Sequence, residues 1–195
     1  MRLASLRRAQ NDLNLAPFWQ MDIGNYVLIG VASSLIALPV FERETLPAEK
    51  PGWDELRAEH LDQIRQAFAA IKPGQRILLF CHDPTALPFL RREPEIEKRL
   101  AQIDQTIVGH LHTNLVLWAS RVAAGMPPIR FLGNTTRRLS TSLNQARHGR
   151  PFKVRLCPAL AGIQLVKGGG YYGVTLDPSA RKPAYFHFRQ IPRKK

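Results

Sequence analysis

The sequence predicts an α/β fold, with helices flanking a mixed β-sheet, and three observations carry that expectation. Residues 26–31 (YVLIGV) and 77–81 (ILLFC) are short, uncharged apolar runs, the composition of strands buried on both faces. Between them, Leu56, Leu61, Ile64, Ala67 and Phe68 recur at helical spacing among charged residues. A strand at 106–108 then follows a second helical segment at 94–102. Strands alternating with helices build parallel sheets.

The remaining elements follow in chain order. Residues 1–14 form a short helix through Leu3, Leu6 and Leu13, and residues 19–23 are extended. Gly24-Asn25 is a turn. Pro39, Pro47, Pro51 and Gly52 punctuate a loop before the helix at 54–70, which Lys72-Pro73-Gly74 terminates. Beyond residue 112 the helical signals fade. Residues 115–120, 129–132, 162–166, 171–176 and 184–191 are short apolar or alternating runs between turn residues, a mainly β half. Gly168-Gly169-Gly170 reads as a turn, because no phosphate-loop signature accompanies it. The 195 residues are expected to make a single domain, with 189–195 a basic tail.

Composition removes several classes. Apolar residues make up 45% and charged ones 22%, the balance of a globular chain. The two cysteines, Cys81 and Cys157, form no CxxC pair, which points to a reducing, cytoplasmic setting. The longest uncharged apolar stretch, residues 26–41, contains Ser33, Ser34 and Pro39 and falls short of the roughly 20 residues a spanning helix needs. No membrane span is expected.

Charge is segregated along the chain. Residues 1–104 carry 13 lysines and arginines against 14 acids, whereas residues 105–195 carry 15 against one acid, Asp177. The net charge of +13 therefore belongs to the C-terminal half. Arg130, Arg137, Arg138, Arg147, Arg150, Lys153 and Arg155 run without an acid among them. Such a field attracts phosphorylated ligands or nucleic acid, and the same residues could equally form a solvated basic surface. Arg137 and Arg138 are the candidates for contacting a substrate phosphate.

Histidines at strand ends are the candidates for chemistry. His82 directly follows one buried strand, and His110 and His112 follow another through Gly109. Residues after neighbouring parallel strands converge on one rim, where α/β proteins place their sites. Imidazole is the commonest protein ligand for transition metals, so His82, His110 and His112 are read as metal ligands. His60 and His148 are expected to face solvent and His187 to lie in a late strand, all three without a role.

At these residues the sequence resembles a family. A helix, then "RILLFCHDP", then "IVGHLHT" about 28 residues later, looks like the C-terminal half of the calcineurin-like metallophosphoesterases. "MDIGNYVLIGVASS" is similar to the strand preceding that family's helix, and "CPALAGIQLVKGGGYYGVTLD" to its closing β segment. The resemblance covers roughly residues 18–190. It implies the C-terminal portion of a two-sheet α/β sandwich, with one sheet face left uncovered and open to association. It also implies that His82 and His110 ligate one metal and His112 a second, the ions being Mn, Fe, Zn or Ni. In that family two metals bind phosphate oxygens and activate a water for attack on the ester.

The family's earlier motifs are absent from these residues: no Asp-x-His, no Gly-Asp and no Gly-Asn-His occurs. The resemblance thus implies an N-terminally incomplete, impaired phosphoester hydrolase unless Asp22, Asp83 or Asp104 completes the site. Two other readings stay open: a non-catalytic binding remnant of the fold, and a basic nucleic-acid-binding module.

Overall fold

Tyr26–Val31 has no charged side chain and is buried along its length except at Leu28. Such a strand is satisfied only inside a sheet covered on both faces. The computed structural model of the chain describes residues 2–109, 150–158 and 169–191. It places this strand second in a five-stranded sheet ordered β1-β2-β3-β4-β5. Strand β1 (Phe18–Ile23) runs antiparallel to β2 (Tyr26–Val31). Strands β3 (Arg76–Cys81), β4 (Ile103–Val108) and β5 (Val154–Leu156) continue parallel to β2. Strands β6 (Gly170–Thr175) and β7 (Tyr185–Gln190) form a separate antiparallel pair. The helices are α1 (Leu3–Leu13), α2 (Ser33–Ile36), α3 (Leu38–Phe41), α4 (Lys50–Ala70), α5 (Leu87–Leu90) and α6 (Pro94–Glu97). The fold is α/β, a mixed sheet flanked by helices. Among the described residues no helix is long and apolar enough to cross a membrane.

Alternation along the strands decides what covers each face. Val27, Ile29, Ile77, Leu79, Ile103 and Phe152 join Leu61, Ile64 and Phe68 of α4 in one buried cluster. On the other face, Tyr26, Leu78 and Ala180 are buried together, with Leu28, Phe80, Leu176, Ala184 and Phe186 against them. The β6–β7 pair therefore lies across the sheet opposite α4. Covering β2 and β3 on both sides is what holds the domain together, since each fully buried aliphatic side chain contributes roughly 1.5–3 kcal/mol. On the β6–β7 side of β1, Trp19, Met21 and Ile23 are exposed. Trp19 leans toward Phe80, with ring centroids 5.3 Å apart.

Local chemistry accounts for most departures from the sequence reading. Pro39, expected to open a loop, lies in the first turn of α3, where proline is tolerated, and the burial of Leu35, Ile36 and Leu38 holds α2 and α3 in place. Helix α4 begins at Lys50, where Pro51 suits the first turn and Lys50 pairs with Glu42 at 2.7 Å and Asp54 at 3.2 Å. The helix expected at 94–102 stops at Glu97, and a 3-10 turn follows at Leu100–Gln102. The Gln102 side chain there donates to the carbonyls of Lys72 and Gln75, both at 2.9 Å, which holds the turn against the preceding loop. The alternating run at 184–191 is β7, whose last residues, Arg189 and Gln190, the expected basic tail of 189–195 overlaps. The runs at 115–120, 129–132 and 162–166 lie outside the described residues.

At the amino ends of the parallel strands sits a polar lock. Asp104, 7% exposed at its side chain, pairs with Arg76 Nη1 at 3.3 Å and accepts the Ala184 N–H at 2.6 Å. Arg76 Nε donates to the Ala180 carbonyl at 2.7 Å, and the Tyr26 hydroxyl to that of Lys182 at 2.6 Å. The Gly24-Asn25 turn completes the junction: Asn25 N–H donates to Pro178 O at 2.8 Å. Gly24 has φ +56°, and a Cβ there would come within 2.5 Å of the same Pro178 oxygen, so no other residue fits this turn without rebuilding it.

Two substitutions of opposite sign test this account. Asp104→Ala removes the partner of the half-buried Arg76 and the acceptor of the Ala184 N–H, and should destabilise the domain by about 1–3 kcal/mol. Thr106 Oγ1 is buried on β4 with no hydrogen-bond partner among the described residues, so Thr106→Val should stabilise by about 1 kcal/mol. Urea unfolding measures both; a neutral Asp104→Ala variant would show that the lock is decorative.

Candidate functional site

The carboxyl ends of β2, β3, β4 and β5 form one rim because the strands are in register. Val31 pairs with Cys81, Cys81 with Val108, and Val108 with Leu156. The next residue of each strand therefore falls in a common row: Ala32, His82, Gly109 and Cys157. Backbone hydrogen bonds fasten that row, with Gly109 N–H donating to His82 O at 3.2 Å and Cys157 N–H to Val108 O at 2.7 Å. The exposed His82 turns its ring onto Gly109. A Cβ on Gly109 would stand 3.0 Å from His82 Nδ1, so glycine is what makes room for the imidazole.

The layer beneath is rigidly tied. Ser33 Oγ, buried at the start of α2, accepts the Asp83 N–H at 3.1 Å and so links the ends of β2 and β3. Asp83 caps the turn after β3, its Oδ1 accepting from Thr85 N–H at 2.9 Å and from the Thr85 hydroxyl. The Cys81 thiol points toward the Asp83 carbonyl, with Sγ 3.1 Å away. Burial, reinforced by the Asp83 charge, pushes that thiol up to about 12, so it stays protonated and unreactive.

His60 corrects the sequence reading. It was expected in solvent but is 1% exposed, inside the α4 face that packs on the sheet. The signal was present: His60 lies seven residues after Trp53 and four before Ile64, on the same stripe. Its Nε2 accepts the Ala32 N–H at 3.1 Å and so anchors the end of β2. Phe18 meets the ring edge-on, with centroids 6.5 Å apart. Burial lowers the His60 pKa from 6.5 to about 4, which keeps the imidazole neutral and its Nε2 lone pair available to Ala32.

Of the predicted site residues, His82 stands on the rim, whereas His110, His112, Arg137 and Arg138 lie outside the described residues. His110 follows Gly109 directly in the chain. Asp22 and Asp104 cannot complete a site at His82: Asp22 pairs with Val27 near the start of β2, and Asp104 lies at the start of β4. Asp83 is the one of the three on the rim. The described residues supply a single imidazole there, and no group of three or more His, Cys, Asp or Glu side chains gathers among them to hold a metal ion. Cys157, in the same row and exposed, was not singled out from sequence, because β5 has three residues and leaves no periodic signal. No family model matches this chain, and no curated protein or solved structure matches it either.

The His60 environment makes the fold acid-sensitive in a defined window. Below pH 6.5 the unfolded chain takes up a proton at His60 that the folded state refuses until about pH 4. This contribution to stability is complete above pH 6.5 and falls between 6.5 and 4, by at most about 1.4 kcal/mol per pH unit. His60→Gln keeps an acceptor for Ala32 without a titrating ring and should flatten that slope. Identical pH profiles for the two proteins in denaturant unfolding would refute this assignment.

Proposed function

We propose that the chain is a metal-dependent phosphoester hydrolase-like protein of the calcineurin-like metallophosphoesterase type, with His82, His110 and His112 as its metal ligands. The observation that supports this reading is the seating of His82 on Gly109 at the carboxyl rim of a parallel sheet, one residue before His110. A Mn, Fe, Zn or Ni ion bound there would act as a Lewis acid on phosphoryl oxygens and lower the pKa of a bound water. The chain's own part is to orient the His82 imidazole, through the Gly109–His82 backbone bond and the Ser33–Asp83 tie beneath. Arg137 and Arg138 would attract the phosphate of a small phosphorylated substrate. The two free cysteines suit the reducing, cytoplasmic setting proposed for it.

Catalysis is proposed to be impaired. The sequence has no Asp-x-His, Gly-Asp or Gly-Asn-His motif to supply bridging carboxylates and a leaving-group acid. On the rim, Asp83 Oδ1 is already engaged by Thr85. That engagement favours, as a second reading, a binding protein that keeps the fold without turnover.

Two measurements separate these readings. In calorimetry Zn should bind more tightly than Mg, and His82→Ala or His110→Ala should weaken Zn by at least about tenfold. Gly109→Ala, which forces the His82 ring aside, should act in the same direction. Equal heats for wild type and all three variants would remove the metal site from consideration. With nitrophenyl phosphate esters and Mn, Ni or Zn, no more than trace turnover is expected; none at all favours the binding protein. Rapid metal-dependent turnover abolished by His112→Ala would overturn the impairment.

A further inference from the structure

The outer face of the β6–β7 pair breaks the rule for a half-covered antiparallel sheet, in which outward positions are polar. Cross-strand partners share a face, so Tyr171 with Arg189, Gly173 with His187, and Thr175 with Tyr185 form one side. Val174 and Phe186 belong to the other, on which Phe186 packs against the large sheet. Also from that inner side, the Arg155 guanidinium lies over Phe186 at 4.8 Å and Tyr172 at 5.6 Å. The pair is thus held from within through Phe186 and Tyr172, while Val174 and Phe188 on that side stay exposed. Yet Tyr171 is 48% exposed and Tyr185 62% exposed on the outside, and His187 and Arg189 are exposed beside them.

These outer side chains are arranged as a platform. Tyr185 meets His187 edge-on with ring centroids 4.1 Å apart, and Thr175 Oγ1 holds His187 Nε2 at 3.3 Å. Between the two tyrosines, Gly173 adds no bulk, and a Cβ at that position would meet nothing within 4 Å. No acidic residue occurs in either strand. The single acid of residues 105–195, Asp177, is turned into the connecting loop, where it accepts from Ser179, Arg181 and Lys182 N–H groups and the Ser179 hydroxyl. Flat π surfaces with a flanking guanidinium, in a half-chain of strongly positive charge, complement a ligand that carries both bases and phosphates.

We infer that the outer face of β6–β7 binds single-stranded nucleic acid, with Tyr171 and Tyr185 stacking on bases and Arg189 contacting the phosphate backbone. Unpaired bases can lie flat on exposed rings, whereas a duplex hides them in its stack. Charge supplies the attraction and the tyrosines supply the preference for a polymer with bases. The inference stands apart from the rim at His82, which is built on the other sheet.

The test uses the full chain and a fluorescent oligothymidylate of about 4–16 nucleotides, the range a small binding face covers. Anisotropy at low salt should report binding that Tyr171→Ala and Tyr185→Ala each weaken about tenfold. Tyr185→Phe keeps the ring and should bind as wild type does. Arg189→Ala should lower the slope of log affinity against log salt by about one. Polyphosphate of matched charge should compete poorly. Unchanged affinity in both alanine variants would overturn the inference. So would equal competition by polyphosphate or tighter binding of a duplex, since either assigns the attraction to charge alone.

Discussion

The carboxylate of Asp104 is the constraint on which the arrangement of the domain depends. It begins β4, pairs with Arg76 at the start of β3 and accepts the Ala184 N–H just before β7. Taking a carboxylate out of water costs several kcal/mol unless hydrogen bonds replace the lost hydration. Asp104 therefore forces those partners to be present, and in doing so fixes β6–β7 over β2 and β3. Tyr26 lies in the same cluster, its hydroxyl pushed to about 12 first by burial and then by the Asp104 charge. A phenol held neutral keeps its proton for Lys182 O, so the loop after β6 is pinned by a hydroxyl that stays protonated near neutrality. Apolar contact alone would allow the pair to slide across the sheet. The lock sets its register.

With that lock at the amino ends, the two ends of the sheet have separate tasks. At the carboxyl ends His82 and Cys157 are exposed, and the row they stand in is stiffened from below by neutral hydrogen bonds. His60 and Ser33 both act on the end of β2 and its continuation, one through the Ala32 N–H and the other through Asp83. Groups held this way lose little further freedom on meeting a ligand, the condition for a preorganised site. The exposed His82 ring stands on that base with Gly109 as its seat.

How much of this was legible in the sequence follows from the length scale of each interaction. Tyr26–Val31 and Arg76–Cys81 were readable because strands buried on both faces are continuously apolar, and α4 because its apolar stripe recurs from Leu56 to Phe68. The place of His82 on the rim was readable for the same reason: it follows such a strand directly. Pro39 was misread because proline is a local signal for a loop, and the burial of Leu35, Ile36 and Leu38 around it is not local. His60 was misread because residue type was weighed above its position on the stripe. Asp104 was a plausible partner for His82 until the register was known. A carboxylate at the start of a six-residue strand and an imidazole at the end of its neighbour look close in sequence logic, yet lie at opposite ends of the sheet. Only strand pairing, which no local pattern encodes, tells the two ends apart.

The segregation of charge takes on a physical meaning in this frame. In the N-terminal half acids and bases nearly balance, and cations there meet carboxylates: Arg65 meets Glu93 at 2.6 Å, and Lys50 meets Glu42 and Asp54. The C-terminal half has a single acid, already committed to its own loop. Among the described residues, two of its cations have partners other than carboxylates. Lys153 Nζ donates to the Ile103 carbonyl at 2.7 Å, and Arg155 lies on the rings of Phe186 and Tyr172. Carbonyls and aromatic faces satisfy a cation's geometry but leave its charge uncompensated. A field of that sign persists at the surface until anions from outside meet it. In the proposed reading that field draws a polyanion, and the aromatic face of β6–β7 gives the attraction a shape.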